Sequence, residues 1–151
     1  MVVTFVGHRS IFINNTLSVK IRSTILENVR GEKFVTFYCG GYGEFDRHCA
    51  CVCKSLKAEM PDSEIVLVTP YIASDNFNEA MELGLYDAIV YPPIEGTLSR
   101  FAIIKRNEWI ISKSDLVIAY VSRTYGGAYK AFQYAKRRNK KIINLADFAS
   151  C

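Results

Sequence analysis

Residues 35–46, Val-Thr-Phe-Tyr-Cys-Gly-Gly-Tyr-Gly-Glu-Phe-Asp, constrain the fold more than any other stretch of the chain. An apolar, aromatic run ends in Gly40, Gly41 and Gly43, and a helical pattern begins directly after them. This is the layout of a buried strand that turns sharply into a helix and leaves a backbone cradle for an anion. Glycine allows the tight turn and the close approach of a ligand to main-chain N–H groups, and the helix N-terminus adds its partial positive charge. The spacing is neither Gly-x-Gly-x-x-Gly nor a P-loop, since no Gly-Lys-Ser/Thr follows.

The rest of the chain repeats the same strand-then-helix grammar. Val2 to Val6 is an apolar run of the kind buried on both faces of a parallel sheet, and it ends at Gly7-His8-Arg9. Leu17, Ile21, Ile25 and Val29 then recur at helical spacing, with Asn14, Asn15 or Thr16 as the cap. Lys33 to Tyr38 is the second strand, and Phe45, Cys49, Val52 and Leu56 form the inward stripe of the second helix. Further strands are expected at Glu64 to Thr69, Tyr86 to Tyr91, Asp115 to Val121 and Lys141 to Leu145. Helices are expected at Phe77 to Leu83 and Arg100 to Lys113, the latter apolar at Phe101, Ile104, Ile110 and Ile111. A last helix opens at Gly126-Gly127 and turns Ala128, Phe132 and Ala135 inward. Strict alternation of this kind predicts an α/β, Rossmann-like, doubly wound and mainly parallel sheet flanked by helices, in one domain over residues 1–151. Right-handed crossovers carry the strand C-termini to one edge, where such folds bind ligands. Gly7-His8-Arg9, Cys39 to Asp46, Pro70-Tyr71 and Ser122 to Gly127 therefore converge.

Composition narrows the class. No apolar run approaches the roughly 18 residues that cross a bilayer, and the N-terminal residues carry no secretory signal pattern, so the chain is expected in the cytoplasm. Five cysteines leave one without a partner in any disulfide scheme, so reduced thiols are expected. Cys49, Cys51 and Cys53 lack C-x-x-C spacing, and with His8 and His48 as the only histidines no metal and no cofactor are expected. The net charge of +4 is mild and gathers in residues 136–141. No aromatic platform or nucleic-acid motif accompanies that run, which argues against nucleic acid as a partner.

In these motifs and their order the chain resembles the SLOG superfamily, the Rossmann-like group named after Smf/DprA and LOG proteins, and in particular its small, stand-alone bacterial and phage branch. The matching segments are Val6-Gly7-His8-Arg9, Cys39 to Asp46, Val68-Thr69-Pro70-Tyr71, Arg106-Asn107-Glu108-Trp109, Asp115 to Tyr120 and Gly126-Gly127-Ala128. The resemblance implies a nucleotide-derived small molecule at the sheet edge, often in a homodimer or larger assembly. The LOG enzymes, which release the free base from cytokinin nucleotides, carry Pro-Gly-Gly-x-Gly-Thr-x-x-Glu. Here Cys39, Glu44 and Arg47 stand at the proline, threonine and glutamate positions, so the carboxylate of that pattern is replaced by a guanidinium.

The expected ligand-binding residues are Gly7, His8, Arg9, Gly40, Gly41, Tyr42, Gly43, Glu44, Asp46, Pro70, Tyr71, Arg106, Asn107, Tyr125, Gly126 and Gly127. Backbone amides at 40–43 and 126–127 would hold phosphates, with Arg9 and Arg106 as counter-charges. Glu44 and Asp46 lie in a first helical turn, where acids cap the helix whatever the function. Asp46 either caps or accepts from a ribose hydroxyl, and the two are the carboxylates available if there is catalysis. A binding protein, as sensor or sequestering agent, is the leading expectation. A nucleotide N-glycosidase and a ligand-free structural protein are the alternatives.

Overall fold

The computed structural model describes residues 1–71 and 84–146. Six strands form one sheet: β1 (Val2–Gly7), β2 (Thr36–Cys39), β3 (Glu64–Val68), β4 (Ala88–Val90), β5 (Leu116–Tyr120) and β6 (Lys141–Asn144). Every neighbouring pair is parallel, and the order is β4-β3-β2-β1-β5-β6. The chain thus winds outward from β1 to β4, returns to lay β5 beside β1, and continues to β6. The order reverses between β1 and β5, and the crevice at such a switch point is where open α/β sheets bind ligands.

Among the described residues four helices cover the sheet, two on each face: α1 (Asn15–Asn28) and α2 (Glu44–Ser55) on one, α3 (Ala102–Lys113) and α4 (Gly127–Arg137) on the other. Asn14 caps α1, its Oδ1 accepting the Leu17 N–H at 2.8 Å. Leu17, Ile21 and Ile25 of α1 and Phe45, Cys49, Val52 and Cys53 of α2 pack on Val3, Phe5, Phe37 and Ile65. Phe132 and Ala135 of α4 pack on Val117 and Ala119 from the other side. Ile21, Ile25 and Phe45 have no accessible surface, and each such side chain contributes about 1.5–3 kcal/mol by burial. Cys39, Cys49, Cys51 and Cys53 are free thiols, and among the described residues no helix is long and apolar enough to cross a membrane.

Several expected boundaries shift. β2 starts at Thr36 rather than Lys33, because its pairing with β1 begins where Val2 meets Thr36, and Phe34 is left exposed. The expected helix from Arg100 opens as a 3-10 turn, Ser99–Phe101, which turns Phe101 outward. Ile104 is exposed as well, so the inward stripe of α3 is Ile110, Ile111 and, against expectation, Arg106. The helix expected at Phe77 to Leu83 lies outside the described residues.

Candidate functional site

Two βα connections meet at the switch point. The loop after β1 places His8 inside the protein, at 6% exposure, and its Nε2 accepts the N–H groups of Ser122 and Arg123 at 3.0 and 3.3 Å. Two donors on Nε2 leave the ring proton on Nδ1. Burial, and then the charge of Arg123, push the His8 pKa below its ordinary value, so the neutral ring that this clamp needs is favoured. His8 thereby ties the β1 loop to the β5 loop across the crevice.

The glycine loop is shaped from both sides. Gly41 and Gly43 have φ of 77° and 91°, conformations in which a side chain is strained, and Gly43 is the N-cap of α2. At Gly7 a Cβ would stand 2.2 Å from Phe45 Cδ1, so α2 lies against β1 only because that position is bare. A Cβ at Gly40 would stand 2.9 Å from Asp46 Oδ2 and 3.1 Å from the Arg106 guanidinium. Gly40, having no side chain, therefore leaves the carboxylate and the cation room to approach each other.

Arg106 is 3% exposed, and its charge is spent inside the protein. Its Nη1 donates to the carbonyl oxygens of Gly40 and Val68 at 2.8 and 2.9 Å, and its Nε donates to Asn107 Oδ1 at 2.8 Å. The guanidinium also lies 5.3 Å from the centre of the Tyr42 ring. It thus fixes the ends of β2 and β3 to α3. Its pKa is lowered by burial, against the pull of Asp46.

Asp46 is the unusual member. The amides of Gly41, Tyr42 and Gly40 are aimed at its carboxylate, yet none closes a hydrogen bond on Oδ1, which is buried without a partner among the described residues. Desolvation outweighs Arg106 and these amides, and the pKa rises from 3.8 to about 6. The amides expected to receive a phosphate therefore face a carboxylate of the protein itself. The first amide of α2 is also occupied, with the Glu44 N–H donating to the Arg9 carbonyl at 2.8 Å.

The N-terminus of α4 differs. Gly126, its N-cap, has φ 90°, no side chain caps the helix, and no acidic residue stands in its first turn. A Cβ at Gly126 or Gly127 would meet nothing within 4 Å. This open helix end, the β1 loop, Gly40, Tyr42, Asp46, Arg106 and Asn107 line one cleft of about 280 Å³. Arg9 and Arg123 line it too, so among the described residues three arginines face one carboxylate. Tyr125, 66% exposed, stands at its mouth with the Arg123 guanidinium 5.5 Å from its ring centre.

Of the residues expected to bind ligand, Gly7, His8, Arg9, Gly40, Tyr42, Asp46, Arg106, Asn107, Tyr125, Gly126 and Gly127 line the cleft. Gly41, Gly43, Glu44, Pro70 and Tyr71 do not. Glu44 points away and accepts the Ile11 N–H at 2.9 Å; Pro70 is buried, and the Tyr71 hydroxyl donates to the Ser99 carbonyl at 3.3 Å. Of the two candidate catalytic carboxylates, only Asp46 reaches the cleft. Arg123 is not among the residues expected from the sequence; its signal is a cation three residues beyond the wholly apolar β5. Among the described residues no three His, Cys, Asp or Glu side chains are grouped as metal ligands.

No protein-family model and no curated protein sequence matches this chain. Solved structures do. The X-ray structure of TM1055 superposes with a TM-score of 0.59 at 12% identity, over 93% of this chain and 71% of that one. DNA processing protein A from Helicobacter pylori, described for its single-stranded DNA binding mode, superposes with a TM-score of 0.60 at 16% identity. That match covers 94% of this chain and 63% of the other, so this chain spans less than two thirds of that protein. Both share the fold of this chain, and the resemblance seen in the motifs is upheld at the level of the fold. One expectation is corrected. The expected absence of a nucleic-acid partner is contradicted by the Helicobacter pylori protein, which shares this fold and binds single-stranded DNA. The missing aromatic neighbour is also present: Tyr134 lies within 6.0 Å of the guanidinium groups of Arg137 and Arg138.

Proposed function

We propose that the cleft binds a nucleotide or a nucleotide-derived small molecule, with the phosphate at the N-terminus of α4. The observation that carries this is the contrast between the two helix ends: α2 is closed by its own acids and by Arg9, whereas α4 opens into an arginine-lined cleft uncapped. Free first-turn amides and a helix dipole favour an anion there. Arg9 and Arg123 supply counter-charge from the flanking loops. Asp46 Oδ1, a buried acceptor with nothing to accept, calls for an O–H or N–H donor, which a ribose or a base amino group provides. Tyr42 and Tyr125 offer ring faces to a base. At about 280 Å³ the cleft is at the small end of ligand sites and suits a single nucleotide unit.

A second reading is supported by the Helicobacter pylori protein: the unit held in the cleft belongs to a single strand of nucleic acid. Thermal unfolding with a panel of mononucleotides, nucleotide signals and short oligonucleotides tests both. A ligand at a hundred times its Kd contributes about 2.7 kcal/mol, a rise of roughly 5–10 °C for a chain of this size. If no member of the panel raises the Tm, the proposal fails. Free base and ribose phosphate appearing in the same mixtures, and lost in Asp46→Asn, would make the protein a nucleotide N-glycosidase instead of a binder.

A further inference from the structure

The cleft does not end at α4. Its wall residues Ile103, Asn107, Gly127 and Ala131 also line a second hollow, a groove of about 370 Å³ running between α3 and α4 on the outer face. Tyr129 and Tyr134 stand half-buried in this groove, and Lys130 and Arg137 stand exposed along it. Gln133 Nε2 donates to the Tyr129 hydroxyl at 2.6 Å and so orients that ring. Arg137 reaches over Tyr134, 5.9 Å from its centre. Five residues of helix separate the two tyrosines by about 7.5 Å along the axis, which spaces them for two different bases.

Charge identifies the occupant. Residues 127–141 contain six of the nineteen basic residues and none of the fifteen acidic ones, so the rest of the chain is net negative. Among the described residues the groove's one acid, Glu108, is already paired with Lys105 at 3.4 Å. A second copy docked face to face would set these basic rims against each other, because a two-fold contact pairs a patch with itself. A polyanion carrying flat apolar groups meets no such conflict. Basic side chains that follow a backbone, with aromatic rings for successive bases, are what single-stranded nucleic acid requires.

We propose that the α3–α4 groove carries single-stranded nucleic acid continuing from the nucleotide in the cleft, with bases on Tyr129 and Tyr134 and phosphates on Lys130 and Arg137. The assignment rests on the nucleotide reading of the cleft and adds to it a polymer and a path.

Fluorescence anisotropy on the full chain tests it, with labelled oligo(dT) and oligo(U) of two to twelve nucleotides set beside calorimetry with the mononucleotides. Affinity is expected to rise at least tenfold from the mononucleotide to about four nucleotides and to fall with salt. Tightening with DNA alone, RNA alone or both supports the proposal and names the strand. Arg137→Gln is expected to lower the salt slope by about 0.7, the value for one phosphate on a single strand. Tyr134→Ala is expected to weaken oligonucleotides about five- to hundredfold, with Tyr134→Phe and Arg137→Lys near wild type as controls for folding. Mononucleotide affinity should stay unchanged in all four. If mononucleotides bind and oligonucleotides bind no tighter, the groove assignment falls and the cleft reading stands; if neither binds, both fall. If Tyr134→Ala turns a dimer into monomers in sedimentation with oligonucleotide affinity unaltered, the groove is a subunit contact and the proposal is overturned.

Discussion

Replacing Asp46 by asparagine should stabilise the protein at neutral pH, which is not what removal of an acid from the first turn of a helix ordinarily does. Asparagine has the shape of the protonated acid without the cost of burying a carboxylate. The folded pKa is raised from 3.8 to about 6, so the folded state binds this proton more tightly than the unfolded chain. The ionised form therefore costs stability: the cost is complete above the folded pKa and disappears as pH falls below the unfolded one. At about 1.4 kcal/mol per pH unit, the rise corresponds to about 3 kcal/mol. Asp46→Asn should then exceed wild type by about 3 kcal/mol at pH 8, or roughly 6–12 °C in Tm. The advantage should shrink to about 0.5 kcal/mol by pH 4. Urea or thermal unfolding of both proteins across that range measures the difference. A less stable variant at pH 8, or a difference that ignores pH, would refute this account and make Asp46 an ordinary acceptor for the Gly40, Gly41 and Tyr42 amides. The same substitution should weaken the ligand, because an amide oxygen is a weaker acceptor than a carboxylate for the donor that binding brings.

Other outcomes follow from the same geometry. Gly40→Ala drives a methyl group between Asp46 and Arg106 and should cost about 1–3 kcal/mol in chemical denaturation while weakening ligand binding. Arg106→Met leaves the Gly40 and Val68 carbonyls without a donor and Asp46 without its cation. It should cost about 3–5 kcal/mol at pH 8 and visibly less at pH 5, where Asp46 is protonated; an equal loss at both would separate the two groups. For His8, whose folded pKa is lowered, the clamp on Ser122 and Arg123 is present above its unfolded pKa and is lost as pH falls through the folded value. Amide exchange at 122 and 123 should accelerate on acidification in wild type and be fast at every pH in His8→Ala.

Much of the fold was legible in the sequence because its signals are local. The apolar runs of β1 and β5 are buried on both faces, and the stripe Phe45, Cys49, Val52 and Leu56 is fully inward, as helical spacing requires. Arg106 was not legible in that way. Within Lys105-Arg106-Asn107-Glu108 it looks like surface charge, and its burial is decided by carbonyls 66 and 38 residues away. The glycine loop was recognisable as a cradle from φ-tolerant residues alone, but what fills it depends on the direction of one side chain, Asp46, which glycine spacing does not encode. The open end of α4 becomes the better anion site only when the two helix termini are compared in three dimensions. Tyr129 and Tyr134 read as ordinary helix residues until α3 packs alongside and makes a groove.

The central claim, that the α4 end of the cleft receives the phosphate of a nucleotide, is tested most directly by calorimetric titration with nucleoside 5′-monophosphates and their matching nucleosides, on wild type and Arg123→Ala. At least one monophosphate should bind more than tenfold tighter than its nucleoside, and Arg123→Ala should erode that preference while leaving the nucleoside affinity unchanged. Equal affinity for the two forms, or no saturable binding by any monophosphate, would contradict the claim.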